Sequence, residues 1–293
     1  MVIVLKLIEK FPLKKNIKLY RAIQNIVNPK INNAEYIDYC LDGVNIRVFD
    51  PQKSKKIIIY IHGGGWVSGN LNTHSNICYK LASELNRKVI SIDYRLAPEY
   101  PYPAGFNDCY RVIKNIMENI NLFDISWEDV LLMGDSAGAN LAFATSLKGL
   151  YHRTFRVGKL ILIYPATQTD YSRYTKYNSV IINDGKGFLT RKHLEDYINM
   201  YIPSVEERDN KYVNLLKAKR LFGLPKILVI TGTLDPLHDE GVALVKKLKR
   251  HLVSVKHYDL KGATHGYFTN ILDKKYTKQT IEYIKGFVGD YFE

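Results

Sequence analysis

From residue 57 onward the chain alternates two hydrophobic patterns. Short unbroken apolar runs, of which Ile57–Ile61 is the purest, lack the polar alternation of a strand with one wet face. They predict strands covered on both sides. Strand candidates fall at 57–61, 88–93, 129–133, 159–164, 226–231 and 254–259. Between or after them, at 74–86, 106–119, 137–150, 240–252 and 277–291, apolar residues recur at helical spacing. Strand and helix in steady alternation predict an α/β class chain: a mostly parallel central sheet with helices on both faces.

Two regions depart from that rhythm. Ahead of it, residues 2–28 predict one or two helices, with Ile17, Tyr20, Ile23 and Ile26 at helical spacing. A hairpin is expected next, Ala34–Leu41 and Val44–Phe49 about a tight Asp42-Gly43 turn. Within the rhythm, more than fifty residues between Thr167 and Leu224 hold no strand of the core type, and only Thr190–Tyr201 has a helical pattern. A structureless loop of that length is out of place in a compact domain. A mainly helical cap is the better reading, formed by about 168–223 and completed by about 1–30.

Composition narrows the class. The 293 residues, 46% hydrophobic, suit a single domain over 1–293. No stretch approaches the roughly 20 apolar residues of a membrane helix. Met1–Leu5 begins like a signal segment, but Lys6, Glu9 and Lys14 interrupt it and no small-residue cleavage site follows. No stable membrane insertion is therefore expected. Cys40, Cys78 and Cys109 are odd in number and lack CxxC spacing, which disfavours a disulfide framework or zinc site and predicts a reducing, cytoplasmic setting. The eight histidines include no HExxH pair, so neither a metal nor a cofactor is expected.

The net charge of +13 raises the question of nucleic acid. The lysines are scattered, however, and the densest cluster (Lys246, Lys247, Lys249, Arg250) shares a helix with an apolar face of Val245, Leu248 and Leu252. That is the pattern of a solvated face, and no nucleic-acid partner is expected.

Two short stretches carry chemistry. Gly134-Asp-Ser136-Ala-Gly138 has the form of a nucleophile elbow, a strand-to-helix turn that exposes a serine hydroxyl. In a chain of this length G-x-S-x-G arises by chance about one time in ten, so it decides nothing alone. The second, His62-Gly-Gly-Gly65-Trp66, is far rarer, and its bare backbone N–H groups can converge on a developing oxyanion. Each follows an apolar strand, which is the required setting. A serine also needs a base and an orienting acid. Asp235, just past the strand at 226–231, and His265, after the strand at 254–259, both stand at carboxyl ends of strands, where open α/β sheets place their sites. Asp239 and Glu240 are rival acids, but they occupy the first turn of a helix, which favours acids for its own reasons. His238 is too near Asp235 in sequence to be the natural base, and His62 is better placed to support the glycine loop.

Together with Asp93–Glu99, Pro101–Ala104, Gly134–Asn140 and Asp235–Gly241, these residues resemble the hormone-sensitive-lipase-like branch of the α/β-hydrolase superfamily, the HGGG esterases. The matching stretch spans about 57–268. Tyr267 departs from it, standing where the family often has Phe, and the N-terminal cap region carries no motif to match. The resemblance implies the α/β-hydrolase fold with a helical cap. It also implies a bacterial-type serine carboxylesterase that hydrolyses short- to medium-chain acyl esters through an acyl-enzyme, as a monomer or homodimer without cofactor. By the same resemblance Ser136 is the nucleophile, His265 the general base and then acid, and Asp235 its orienter. The oxyanion donors are then the backbone N–H groups of Gly64, Gly65 and Ala137. Phe188, Leu189 and Tyr201 are expected in the wall of the substrate pocket. Arg95–Glu99 is expected to be structural. Two other readings stay beside the esterase, an arylformamidase-like amidase and a non-catalytic ligand-binding relative. Gly65 and the Asp93–Glu99 stretch count against the first, and the presence of Ser136, Asp235 and His265 together counts against the second.

Overall fold

A computed structural model describes residues 13–27, 34–270 and 274–289. The expected helical and cap segments at 1–12 and 28–30, and the end of the last helix beyond residue 289, lie outside the described residues.

Eight strands among the described residues form one sheet: β1 (Ile37–Leu41), β2 (Val44–Phe49), β3 (Ile57–Ile61), β4 (Lys88–Asp93), β5 (Val130–Asp135), β6 (Lys159–Ile163), β7 (Lys226–Gly232) and β8 (Val255–Leu260). Their spatial order is β1-β2-β4-β3-β5-β6-β7-β8. The hairpin β1–β2 and the pair β2–β4 are antiparallel, and every other neighbouring pair is parallel. The helices are α1 (Ile17–Val27), α2 (Ser75–Leu85), α3 (Ala104–Asn119), α4 (Ala137–His152), α5 (Ser179–Ile182), α6 (Arg191–Tyr201), α7 (His238–Arg250) and α8 (Lys274–Val288).

The unbroken apolar strands follow from cover on both faces. Ile57, Ile59 and Ile61 of β3 enter one core with α3, α4 and α7, while Ile58 and Tyr60 enter a second with α2 and α8. Successive side chains on a strand alternate sides, so each must be apolar when both sides are dry. β8, at the sheet edge, is only partly buried, and its sequence mixes charged and apolar residues accordingly.

Two local expectations are corrected. Leu252 is not on the apolar face of α7, because that helix ends at Arg250 and Leu252 turns away with φ 57° and is exposed. Leu244 packs in its stead, beside Val245 and Leu248. Ile26 is likewise exposed, while Ile17 and Tyr20 of α1 are buried.

The segment between β6 and β7 holds α5, α6 and two 3₁₀ turns. α1 is bonded to it and to the loops beneath. The hydroxyls of Tyr20 and Tyr197 meet at 2.7 Å. Arg21 donates to Val67 O at 2.7 Å and Ala97 O at 2.8 Å, and forks onto Glu99. Arg95 forks onto the buried Asp108. The Arg95–Glu99 stretch thus acts as a structural clasp.

Glu240, one of the rival acids, anchors the start of the same segment. Its carboxyl accepts from Thr167 N–H at 2.6 Å, Gln168 Nε2 at 3.0 Å and the Tyr171 hydroxyl at 3.2 Å. Burial pushes this carboxyl up from its ordinary 4.5 to about 8, against the pull of those three donors. With the folded value raised, the native state holds a proton that the unfolded chain has lost. Stability from this group is therefore full below pH 4.5 and falls as pH rises through about 8. We expect Glu240→Gln to flatten that decline, so thermal melts from pH 5 to 9 converge for parent and variant at low pH and separate at high pH, the variant then the more stable.

Candidate active site

Ser136 lies at the sharp turn from β5 into α4, with φ 54° and ψ −120°. That conformation costs an L-residue roughly 1–3 kcal/mol and persists only when its surroundings enforce it. Here they do. A Cβ at Gly134 would collide with the Gly138 backbone, and one at Gly138 with the Ile61 carbonyl, so both glycines of the motif serve close approach. The Ser136 N–H donates to Ile163 O at 2.9 Å, and its carbonyl accepts from Asn140 N–H at 3.1 Å. The turn is thereby fixed to β6 and to its own helix.

The two later loops arrive at this hydroxyl. His265 Nε2 is 2.9 Å from Ser136 Oγ, and its Nδ1 is 2.7 Å from Asp235 Oδ2. The second oxygen of Asp235 accepts from Leu237 N–H at 2.8 Å. Both His265 and Asp235 are buried. A carboxylate only accepts, so Nδ1 carries the proton and Nε2 is left with its lone pair toward the serine. The other acids point elsewhere. Asp239 accepts from Ser179 N–H at 2.9 Å, and His238 bridges Asp239 and Asp259 at 3.0 Å each.

The glycine loop leaves β3 with its peptide groups held one by one. Around Gly63, the Tyr94 hydroxyl donates to His62 O at 2.9 Å and Gly63 N–H donates to Asp135 Oδ1 at 3.0 Å. His62 Nδ1 donates to Gly63 O at 2.8 Å. Gly64 O accepts from Val67 N–H at 3.2 Å, Ser68 N–H at 3.0 Å and Ser68 Oγ at 2.9 Å. His62 stacks on Tyr94 with ring centroids 4.3 Å apart, which supports its reading as a prop for the loop. Gly65 has φ 63°, and a Cβ there would collide with the Tyr197 ring.

A family model described as the alpha/beta hydrolase fold matches residues 58–269, well over half of the chain. An arylesterase of Saccharolobus solfataricus is 30% identical over 226 residues, covering 76% of this chain and 72% of that protein. A carboxylesterase of Mycobacterium tuberculosis is 30% identical over 233 residues, covering 78% and 72%. The solved structure of the Francisella virulence factor BioJ superposes with a TM-score of 0.85 at 27% identity, over 98% of this chain and 95% of that one. The chain belongs to the α/β-hydrolase family, in its hormone-sensitive-lipase-like branch.

In this hydrolase, a cavity of about 400 Å³ opens over the serine. Gly64, Gly65, Ser136, Ala137 and His265 all line it, so the residues of both motifs and the base share one space. Phe188 and Leu189 line it, with the Phe188 ring centroid 6.1 Å from that of His265. Tyr201 does not. It lies behind the wall, stacked on Trp66 at 4.7 Å and 3°, and Tyr197, one turn earlier on α6, faces the cavity in its place. A helix presents neighbours four residues apart on one side but at different depths, and spacing alone could not rank the two. Among the described residues no three His, Cys, Asp or Glu side chains gather to hold a metal. The sequence places Asp135 inside the elbow motif and assigns it no role. Its signal was available: a charged residue closing an otherwise apolar strand, where burial demands a partner.

Proposed function

We propose that the protein is a serine carboxylesterase that hydrolyses short- to medium-chain acyl esters through an acyl-enzyme. Family membership supports ester hydrolysis in general, since the named relatives are esterases. The observation that carries the finer reading is the hydrogen-bonded line Asp235–His265–Ser136, at 2.7 and 2.9 Å, in the wall of one cavity with the glycine loop.

In this mechanism His265 Nε2 takes the Ser136 proton as Oγ attacks the ester carbonyl, and Asp235 steadies the imidazolium that forms. His265 then returns the proton to the leaving alkoxide, and the alcohol departs. A water molecule, deprotonated by His265, attacks the acyl group, and His265 gives that proton to Ser136 Oγ as the acyl–oxygen bond breaks and the acid leaves. The peptide geometry supports Gly64, Gly65 and Ala137 as oxyanion donors. A trans peptide sets each N–H opposite the preceding carbonyl. The carbonyls of Gly63 and Gly64 are both engaged by the loop itself, leaving the N–H groups of Gly64 and Gly65 on the opposite side. Ala137 N–H opens α4, where a helix favours negative charge. Each such donor is worth about 10²–10³ in turnover.

The cap in this reading is α1 with the segment from 168 to 223. Tyr20 of α1, together with Phe188, Leu189, Leu194 and Tyr197, lines the cavity, so these two segments set its depth. About 400 Å³ stands near the lower end of the ~300–1,000 Å³ typical of small-molecule sites, which supports short acyl chains. Hydrolysis of p-nitrophenyl esters from acetate to laurate tests this directly. Turnover is expected to peak at short to medium chains and to fall steeply at laurate. A flat profile, or turnover confined to aryl formamides, contradicts the reading.

A further inference from the structure

Asp135 takes no part in the proton path from Ser136 to Asp235, yet it is buried immediately before the nucleophile. Its Oδ1 accepts from the Tyr60 hydroxyl at 2.7 Å and from Gly63 N–H at 3.0 Å. The same oxygen stands 3.5 Å from His74 Nε2, and His74 Nδ1 meets Thr73 Oγ1 at 2.9 Å. Its Oδ2 packs so closely over the Gly63 Cα that a Cβ there would collide with it. The carboxyl therefore holds the first loop glycine at two points, by hydrogen bond at nitrogen and by contact at Cα. Burial pushes this carboxyl up, but His74, the Tyr60 hydroxyl and the Gly63 N–H outweigh it and hold it below the usual carboxylate range.

A buried anion beside an oxyanion site works against the negative charge that develops there, and an apolar residue of similar size is often no less stable in a core. Its placement calls for a compensating role. The second His–acid pair of the site, His74 and Asp135, faces the loop rather than the nucleophile. The peptide group it holds precedes the two whose N–H groups are the proposed oxyanion donors.

We propose that Asp135, steadied by His74 and Tyr60, is a positioning residue for the oxyanion loop, holding Gly63 so that the N–H groups of Gly64 and Gly65 are aimed before the substrate arrives. The inference rests on the esterase reading above. Preorganised donors act on the transition state rather than on bound substrate, so their misplacement lowers kcat and leaves KM nearly unchanged.

The test compares Asp135→Asn, which keeps an acceptor for Tyr60 and Gly63, with Asp135→Ala, which removes it. The probe is an alkyl trifluoromethyl ketone, whose adduct on a serine carries an oxyanion. Asp135→Ala is expected to lose about 10²-fold in kcat with KM within about threefold, and to bind the ketone more weakly by the same factor as kcat/KM falls. Asp135→Asn is expected to stay within about tenfold of the parent. Should Asp135→Ala fail to fold, Tyr60→Phe removes a single donor to the carboxyl. It is expected to lose severalfold in kcat, with ketone affinity again tracking kcat/KM. An unchanged kcat in the folded variants, a loss confined to KM, or a loss of kcat with ketone affinity intact overturns the proposal. A parent inactive on every ester defeats the esterase reading itself and this inference with it.

Discussion

Ser136→Ala is expected to abolish ester turnover, by about 10⁶-fold in kcat, while leaving the fold unchanged. The reason lies in how little else the hydroxyl does. Its hydrogen bond to His265 Nε2 at 2.9 Å is part of the proposed reaction path, and the turn is held by backbone bonds and by glycines on either side. Alanine at φ 54° carries the same backbone strain as serine, so the elbow loses chemistry but not shape. Kinetics on p-nitrophenyl butyrate, with a thermal melt of the same preparation, measure both halves of the expectation. Retention of more than about a hundredth of the parent kcat would place the nucleophile elsewhere.

Asp235→Asn is expected to lower kcat by about 10⁴-fold with smaller change in KM. An amide at this position is able to donate to Nδ1, which favours the tautomer with its proton on Nε2 and its lone pair turned away from Ser136. Nothing then removes the serine proton. The neighbouring acid separates role from charge. Asp239 lies only four residues on, but its contacts are Ser179 N–H and His238. Asp239→Asn is expected to stay within about tenfold of the parent. Side-by-side kcat values for the two variants decide between Asp235 and a general need for acid in this loop. Equal losses would contradict the assignment.

The fold was legible because burial on two faces writes itself into composition. Runs such as Ile57–Ile61 and Val130–Met133 mark β3 and β5 without ambiguity, and their spacing with helices leaves few topologies. The pairing of Ser136, His265 and Asp235 was legible for a related reason: each follows a strand that ends at the same edge of the sheet. The wall of the cavity was not. Tyr197 and Tyr201 share a helix side, and which one meets the cavity is set by the stacking of Tyr201 on Trp66, a contact between residues 135 positions apart. The short helix α5 is not legible either, since four residues carry no period. The proposed role of Asp135 is not legible because G-x-S-x-G accepts any residue at that position.

The central claim is a covalent acyl-enzyme on Ser136. Rapid quenching in acid during turnover of p-nitrophenyl butyrate, followed by intact and peptide mass spectrometry, tests it most directly. The expected result is a gain of one butyryl group, carried on the peptide that contains Ser136 and absent from Ser136→Ala. Steady turnover with no acyl adduct under conditions that trap acyl intermediates, or an adduct on another residue, would contradict it.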